Sequence, residues 1–207
     1  MPNIRLLLTA IIRYPTIALW HLSGWKITRD LPDLKKYIIA GAPHTSNWDY
    51  MIFLLVVTQQ RLRAKVTVKH TLFIPPASWF LRAFGGVPIE RSQSHNFVDQ
   101  LVNHFNESEE FVFIFAAEGT RSYRDYWKTG FYYTALKAGV PIVLAVPNYK
   151  TRVLNLDLVL EPTGDIEADF AIIREHVEKH GLGLHPEKAS KVQPRPRNTT
   201  PETEKTA

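Results

Sequence analysis

A histidine and an aspartate stand five positions apart in the stretch APHTSNWDY, residues 42–50. An imidazole can accept a proton near neutral pH, because its ordinary pKa is about 6.5. A nearby carboxylate can fix the tautomer of the imidazole and stabilise its charged form. His44 and Asp49 are therefore candidates for a general base and its partner. Loops after strands also carry such residues without any catalytic role, so the pair alone leaves both interpretations open.

The elements that would position this pair follow from the hydrophobic pattern. Short apolar segments predict strands over residues 37–40, 64–68, 87–89, 110–115, 142–148 and 154–160. Helical patterns fall at residues 50–60, 77–84, 94–106, 131–138 and 166–180, the last between a capping Asp165 and Gly181. Alternating strands and helices predict an α/β fold, a mainly parallel sheet flanked by helices, with an apolar N-terminal helix.

Charged side chains follow the first four predicted strands, at the edge where open α/β sheets bind ligands. His44 follows the first strand, Lys69 the second and Arg91 the third, while Glu118 and Arg121 follow the fourth. The arginine fork suits phosphate oxygens, and a lysine adds a point charge. Each cation taken singly is more simply explained as a solvated or surface-paired residue. Together they predict proton abstraction beside a phosphate-bearing substrate.

Several other functions lack their signatures. The sequence has no G-x-S-x-G elbow, P-loop or G-x-G-x-x-G, which disfavours an α/β-hydrolase, a nucleotide hydrolase or a dinucleotide enzyme. It has no cysteine and no H-E-x-x-H spacing, so no metal site is expected. From Lys188 onward the chain carries +3 of its total net charge of +5. A folded basic face for nucleic acid is therefore not expected.

Four motifs occur in order over residues 37–147: HTSNWD (44–49), GVPIER (86–91), FAAEGTRS (115–122) and VPIV (140–143). In this combination the chain resembles the glycerophospholipid acyltransferases typified by 1-acylglycerol-3-phosphate acyltransferase. Two positions depart from the family pattern, Ala117 and Leu144, where the family usually has prolines. Neither departure removes a titrating group.

The resemblance implies a mechanism for the candidate residues. His44 would remove the proton of an acceptor hydroxyl as its oxygen attacks an acyl thioester, with Asp49 orienting the imidazole. The donor would be acyl-CoA or acyl-carrier protein, without a further cofactor, and the acceptor a lysophospholipid such as 1-acylglycerol-3-phosphate. The expected substrate-binding residues are Lys69, Arg91, Glu118, Gly119, Thr120 and Arg121.

Three segments are expected along the chain. Residues 1–30 are apolar but interrupted, too short in their uncharged runs for the ~20 residues of a membrane span. With Trp20 and Trp25 they fit a helix lying in a membrane interface, and packing on the domain's own core is the alternative. Residues 31–185 would form the acyltransferase domain, and residues 186–207 a disordered basic tail. The expected location is the cytoplasmic face of a membrane.

Two rival functions remain open at this stage. A non-catalytic lipid-binding or lipid-transfer module could keep the same fold and basic edge, but it would not need both His44 and Asp49. A cytosolic hydrolase of phosphorylated metabolites would leave the apolar N-terminus unexplained.

Overall fold

The computed structural model describes residues 14–15, 17–49, 51–52, 56, 60, 64–69, 74–75, 78, 86–89 and 94–196. The strands are β1 (Lys26–Ile27), β2 (Lys36–Gly41), β3 (Ala64–Lys69), β4 (Gly86–Ile89), β5 (Phe111–Ala116), β6 (Ile142–Asn148), β7 (Val153–Asn155) and β8 (Val159–Leu160). The helices are α1 (Ser94–Glu107), α2 (Gly130–Ala138) and α3 (Ile166–His180), with a short 3₁₀ helix at Pro186–Lys188.

One mixed sheet joins these strands in the order β1-β7-β6-β2-β5-β3-β4, with β8 beside β6. The five strands from β6 to β4 in that order are all parallel to one another. Strands β7 and β8 run antiparallel to β6. The prediction of a mainly parallel sheet flanked by helices is confirmed. The carboxyl ends of β2, β3, β4, β5 and β6 therefore lie at one edge.

The predicted strand over residues 154–160 is wrong as a single element, because it is interrupted between β7 and β8. Asn155 and Asp157 bond to each other there: Asn155 Nδ2 donates to Asp157 Oδ2 at 2.8 Å, and the backbone N–H of Asp157 donates to Asn155 Oδ1 at 3.0 Å. The N–H of Leu156 donates to Thr28 Oγ1. Local side-chain bonds of this kind compete with a sheet ladder.

Both faces of the sheet are covered, which explains the continuous apolar character of its central strands. Alternate residues of β2 point to opposite sides, so Ile38 and Ala40 join one apolar cluster while Tyr37 and Ile39 join the other. The first cluster lies under all three named helices and includes Leu101, Phe105, Phe131, Tyr132, Phe170 and Ile173. The second includes Trp20, Ile52 and Val56. The sheet is thus the middle layer of three.

Helix α3 begins and ends at the residues that the sequence predicts. The Asp165 side chain accepts a hydrogen bond from Ala168 N, and the helix ends at Gly181. Helices α1 and α2 each differ by one residue from the predicted bounds. The predicted helices over 50–60 and 77–84 lie largely outside the described residues, although Met51, Ile52, Val56 and Ser78 are helical.

The prediction of a disordered tail from residue 186 is wrong for residues 186–196. Residues 181–194, called here the C-terminal strap, run along the domain and bond to it through their backbone. Trp127 N donates to Gln193 O at 2.9 Å, and Lys191 N donates to Arg124 O at 3.0 Å. Because these bonds use backbone groups, the low apolar content of the segment does not prevent its order. Residues 197–207 lie outside the described residues.

The N-terminal segment is partly built into the domain. Residues 17–23 are helical, and Trp20 is only 4% exposed within the second apolar cluster. β1 then pairs with β7, and Arg152 Nη1 donates to Ser23 O. The predicted boundary at residue 30 therefore lies inside packed structure, and residues 1–13 lie outside the described residues. Among the described helices, none is long and apolar enough to cross a membrane.

Candidate active site

The predicted dyad lies in the loop after β2, at the carboxyl edge of the sheet. Residues 42–47 are irregular, and a helix begins at Trp48. This turn brings His44 Nδ1 to 3.2 Å from Asp49 Oδ2. The side chains are 24% and 9% exposed, so the imidazole reaches solvent while the carboxylate is almost covered. The two predicted catalytic residues are therefore in contact.

The carboxylate of Asp49 accepts hydrogen bonds on both oxygens. Oδ2 accepts from the N–H of Thr45 at 2.7 Å and of Ser46 at 2.8 Å, and Oδ1 accepts from the Tyr149 hydroxyl at 2.6 Å. Burial acts to raise the pKa of Asp49, but the bonds from His44, Tyr149 and the two backbone amides outweigh it and lower the pKa below its ordinary value. An ionised carboxylate can only accept, so it selects the imidazole tautomer with the proton on Nδ1. Nε2 of His44 is then the proton acceptor.

Glu118 lies beneath the same loop rather than in an open acceptor site. It is 1% exposed, with Oε1 accepting from His44 N at 2.6 Å and Oε2 from Ser190 N at 2.9 Å. Burial raises the pKa of Glu118, against the opposing effect of its bonds to Ser190 and His44. Glu118 thus bonds to the backbone of His44 and joins it to the C-terminal strap, and its contact with substrate stays a prediction.

The three residues after Glu118 form the turn that leaves β5. Gly119 has φ +68°, a backbone conformation that favours glycine, and a Cβ there would also displace the Lys128 side chain, since it would lie 2.6 Å from Lys128 Cδ. Thr120 Oγ1 accepts from Ser122 N at 3.2 Å. Arg121 is exposed, and its Nη1 donates to the Asn47 side chain of the dyad loop. Arg121 is thus the predicted cation that the structure places beside the dyad loop.

The other two predicted cations come from β3 and β4. Lys69 ends β3, with its Cα in register with Ile89 at the end of β4. The Lys69 side chain and all of Arg91 lie outside the described residues. Their assignment to the acceptor phosphate stays a prediction, consistent with the strand ends from which they come.

Tyr149 is a site residue that the sequence analysis missed. It follows β6 directly, and its hydroxyl reaches Asp49. The signal was present, because β6 is a parallel strand whose carboxyl end meets the same edge as that of β2.

No group of three or more histidine and acidic side chains able to hold a metal ion occurs within the described parts of the chain. The groups gathered at the edge are an imidazole, its carboxylate partner, a buried second carboxylate and an exposed arginine. This arrangement can move a proton beside an anionic ligand.

A family model for acyltransferases matches residues 26–146, more than half of the chain. The chain therefore belongs to the acyltransferase family, as its four motifs led us to expect. It is 29% identical over 148 residues to a 1-acyl-sn-glycerol-3-phosphate acyltransferase of Haemophilus influenzae, a match that covers 67% of this chain and 60% of that relative.

The fold also matches that of a solved relative. The crystal structure of PlsC from Thermotoga maritima, a 1-acyl-sn-glycerophosphate (LPA) acyltransferase, superposes with a TM-score of 0.56 at 17% sequence identity, covering 86% of this chain and 80% of that one. This likeness supports the fold. The chain spans 60% of the length of the curated relative that it matches.

Proposed function

We propose that this protein transfers a fatty acyl group from an acyl thioester to a hydroxyl of a lysophospholipid, of which 1-acylglycerol-3-phosphate is the leading candidate. The observation that carries the proposal is the contact between His44 Nδ1 and the covered carboxylate of Asp49. A module that only bound lipid would have no use for a histidine held in one tautomer. The names of the relatives from Haemophilus influenzae and Thermotoga maritima support the choice of acceptor.

In the proposed reaction His44 Nε2 takes the proton of the acceptor hydroxyl while that oxygen bonds to the thioester carbon. The tetrahedral intermediate then collapses, the C–S bond breaks, and the leaving thiolate takes the proton back from His44. Asp49 stays ionised and stabilises the imidazolium between these steps. A positioned general base of this kind contributes about 10²–10⁴-fold to the rate.

The acceptor phosphate would be held at the same edge by Arg121, together with Lys69 and Arg91. Arg121 supports this role because it is exposed and bonded to Asn47, three residues from His44. Gly119 and Thr120 would shape the turn that presents Arg121. The donor would be acyl-CoA or acyl-carrier protein, and both carry the required thioester.

The proposed place of action is a membrane surface on its cytoplasmic face. Four large apolar residues in or near the N-terminal helix and the dyad loop are exposed: Leu19 by 50%, Leu22 by 83%, Trp48 by 63% and Met51 by 38%. Trp48 and Met51 flank Asp49 in sequence, so a lipid acceptor presented by a bilayer would meet them beside the dyad. Co-sedimentation with anionic vesicles tests this placement, and full-length protein that stays in the supernatant would contradict it.

The function is tested by incubating purified protein with labelled acyl-CoA or acyl-carrier protein and lysophosphatidate. We expect labelled phosphatidate with the wild type and none with His44→Ala. His104→Ala is the matched control, because His104 lies in α1 close to the amino-terminal end of β5, away from the dyad. Wild-type protein that binds the lysolipid but transfers nothing would identify a lipid-binding module instead. Equal turnover in His44→Ala would exclude His44 as the base.

A further inference from the structure

The two carboxylate oxygens of Asp49 have different hydrogen-bond partners. Oδ2 lies 3.2 Å from His44 Nδ1 and also accepts the N–H groups of Thr45 and Ser46. Oδ1 faces the other way and accepts the hydroxyl of Tyr149 at 2.6 Å. The three partners of Oδ2 all belong to the dyad's own loop, whereas Tyr149 lies 100 positions further along the chain.

We propose that Tyr149 is a positioning residue for the dyad: its hydroxyl holds Asp49 Oδ1 so that Oδ2 stays aimed at His44. This inference rests on the acyl-transfer function proposed above. A carboxylate can rotate about its Cβ–Cγ bond, and a strong donor on the outer oxygen opposes that rotation. Hydrogen bonds to an ionised group are shorter and stronger than neutral ones, which fits this length.

Tyr149 is itself held firmly enough to serve as a reference point. Its backbone N–H donates to Leu182 O of the C-terminal strap at 2.9 Å. Its ring packs edge-on against Trp25, with the centroids 5.1 Å apart. The preceding residue, Asn148, ends β6 and bonds through Nδ2 to His180 O. Contacts from the sheet, the C-terminal strap and the N-terminal segment therefore hold Tyr149 in place, and Tyr149 in turn holds Asp49.

The Tyr149 hydroxyl also reduces the negative charge that faces His44. A donor on Oδ1 draws negative charge away from Oδ2, so its removal leaves more negative charge facing His44 Nδ1. The other titratable or charged side chains on the described elements around the dyad are few. Glu118 bonds to His44 N, Arg121 bonds to Asn47, and His185 bonds through its N–H to Thr45 Oγ1. None of these contacts involves the Tyr149 hydroxyl.

The test is Tyr149→Phe, which removes the hydroxyl and keeps the ring against Trp25. We expect kcat to fall about tenfold, the equivalent of one lost hydrogen bond to a charged group, while KM for acceptor and donor stays within about twofold. The kcat–pH profile should also change, because the carboxylate that faces His44 has lost a hydrogen-bond donor.

The chain offers a matched control in Tyr132, whose hydroxyl donates to the buried Asp169 Oδ2 at 2.7 Å. Tyr132→Phe loses a bond of the same type between α2 and α3. It should lower thermal stability without moving kcat at 25 °C or the pH profile. A Tyr149→Phe variant with wild-type kcat and pH profile would overturn the proposal. So would a Tyr149→Phe variant that fails to fold while Tyr132→Phe folds, because the bond would then serve stability.

A readout that needs no turnover separates this proposal from the proposed function. The nitrogen chemical shifts of His44, assigned by comparison with His44→Ala, report which ring nitrogen carries the proton. We expect the Nδ1–H tautomer in the wild type and a mixture of tautomers in Tyr149→Phe. Identical tautomers in both would overturn the positioning role. Wild-type protein with the expected tautomer but no transfer would leave the positioning intact and reject the reaction.

Discussion

Replacing Glu118 by glutamine tests whether the buried carboxylate supports the dyad from beneath. Glutamate and glutamine have nearly the same shape, so the substitution changes the charge and the hydrogen-bonding groups but not the volume. Glu118 accepts one backbone N–H on each oxygen, from His44 at 2.6 Å and from Ser190 at 2.9 Å. A glutamine has only one acceptor oxygen, so its NH₂ group must face one of those two N–H donors.

The size of the effect follows from this geometry. Leaving one buried donor unsatisfied costs about 1–3 kcal/mol. A cavity of ≈ 290 Å³ is lined by Glu118 and Ser190, so water there can satisfy an unpaired Ser190 N–H, and the cost on that side should lie at the lower end. Removing a buried charge offsets part of the loss, since burial raises the pKa of Glu118. We therefore expect about 1–2 kcal/mol, or a fall in Tm of roughly 2–8 °C for a domain of this size.

The assay pairs thermal unfolding followed by circular dichroism with kcat at saturating donor and acceptor. If the amide turns its NH₂ toward His44, the loop loses its anchor, and kcat should fall about tenfold, as for the loss of one strong hydrogen bond. Asp169→Asn is the control, because Asp169 is also 1% exposed and accepts Tyr132 OH and Thr163 N on one oxygen. The Tm of Asp169→Asn should fall by a similar amount. The kcat of its folded fraction should stay at the wild-type value.

Two outcomes would refute this account of Glu118. A glutamine variant with wild-type Tm and kcat would show that the two backbone N–H groups do not depend on the carboxylate. A variant with wild-type Tm and kcat but a raised KM for the acceptor alone would return Glu118 to the substrate-binding role expected from the motif.

Three further predictions concern other parts of the domain. Arg121→Ala should raise KM for the lysolipid about ten- to hundredfold with little change for the donor, as expected for a lost bond to phosphate, whereas equal effects on both substrates would mark a structural role through Asn47. Trp20→Ala should lower the free energy of unfolding in urea by about 3–5 kcal/mol, because Trp20 is 4% exposed, and a change below about 1 kcal/mol would place it outside the core. The difference in free energy of unfolding between the wild type and Asp49→Asn should be fully present above about pH 4 and disappear as the pH falls further, because the folded-state pKa of Asp49 is lowered. Urea titrations at several pH values measure this difference. A difference that does not vary with pH would contradict the prediction.

The parts of the fold that the sequence predicted well are those with strong local signals. α3 was placed correctly at both ends because Asp165 caps it and Gly181 ends it. The dyad contact was expected because a polar turn separates β2 from the following helix. Strand order and register, by contrast, depend on pairing between distant segments, and no local pattern encodes that pairing.

The environment of each site residue was harder to predict than its identity. Glu118 is a motif residue, but one of its two hydrogen bonds comes from the backbone of Ser190, which lies 72 positions away. The C-terminal strap bonds to the site mainly through backbone N–H and C=O groups, which every residue carries, so its composition resembled that of a disordered segment. Tyr149 could have been found by extending to β6 the rule applied to the four earlier strands.

The C-terminal strap has a consequence for the order in which the protein becomes active during synthesis. It bonds to Thr45 through His185 N across 140 positions and to Glu118 through Ser190 N across 72. A ribosome releases the dyad motif early and the strap late, and domains assemble as their segments emerge. His44 therefore cannot acquire its full support until residue 190 has emerged. A nascent chain that already displays the HTSNWD motif should therefore lack most of the activity of the finished domain.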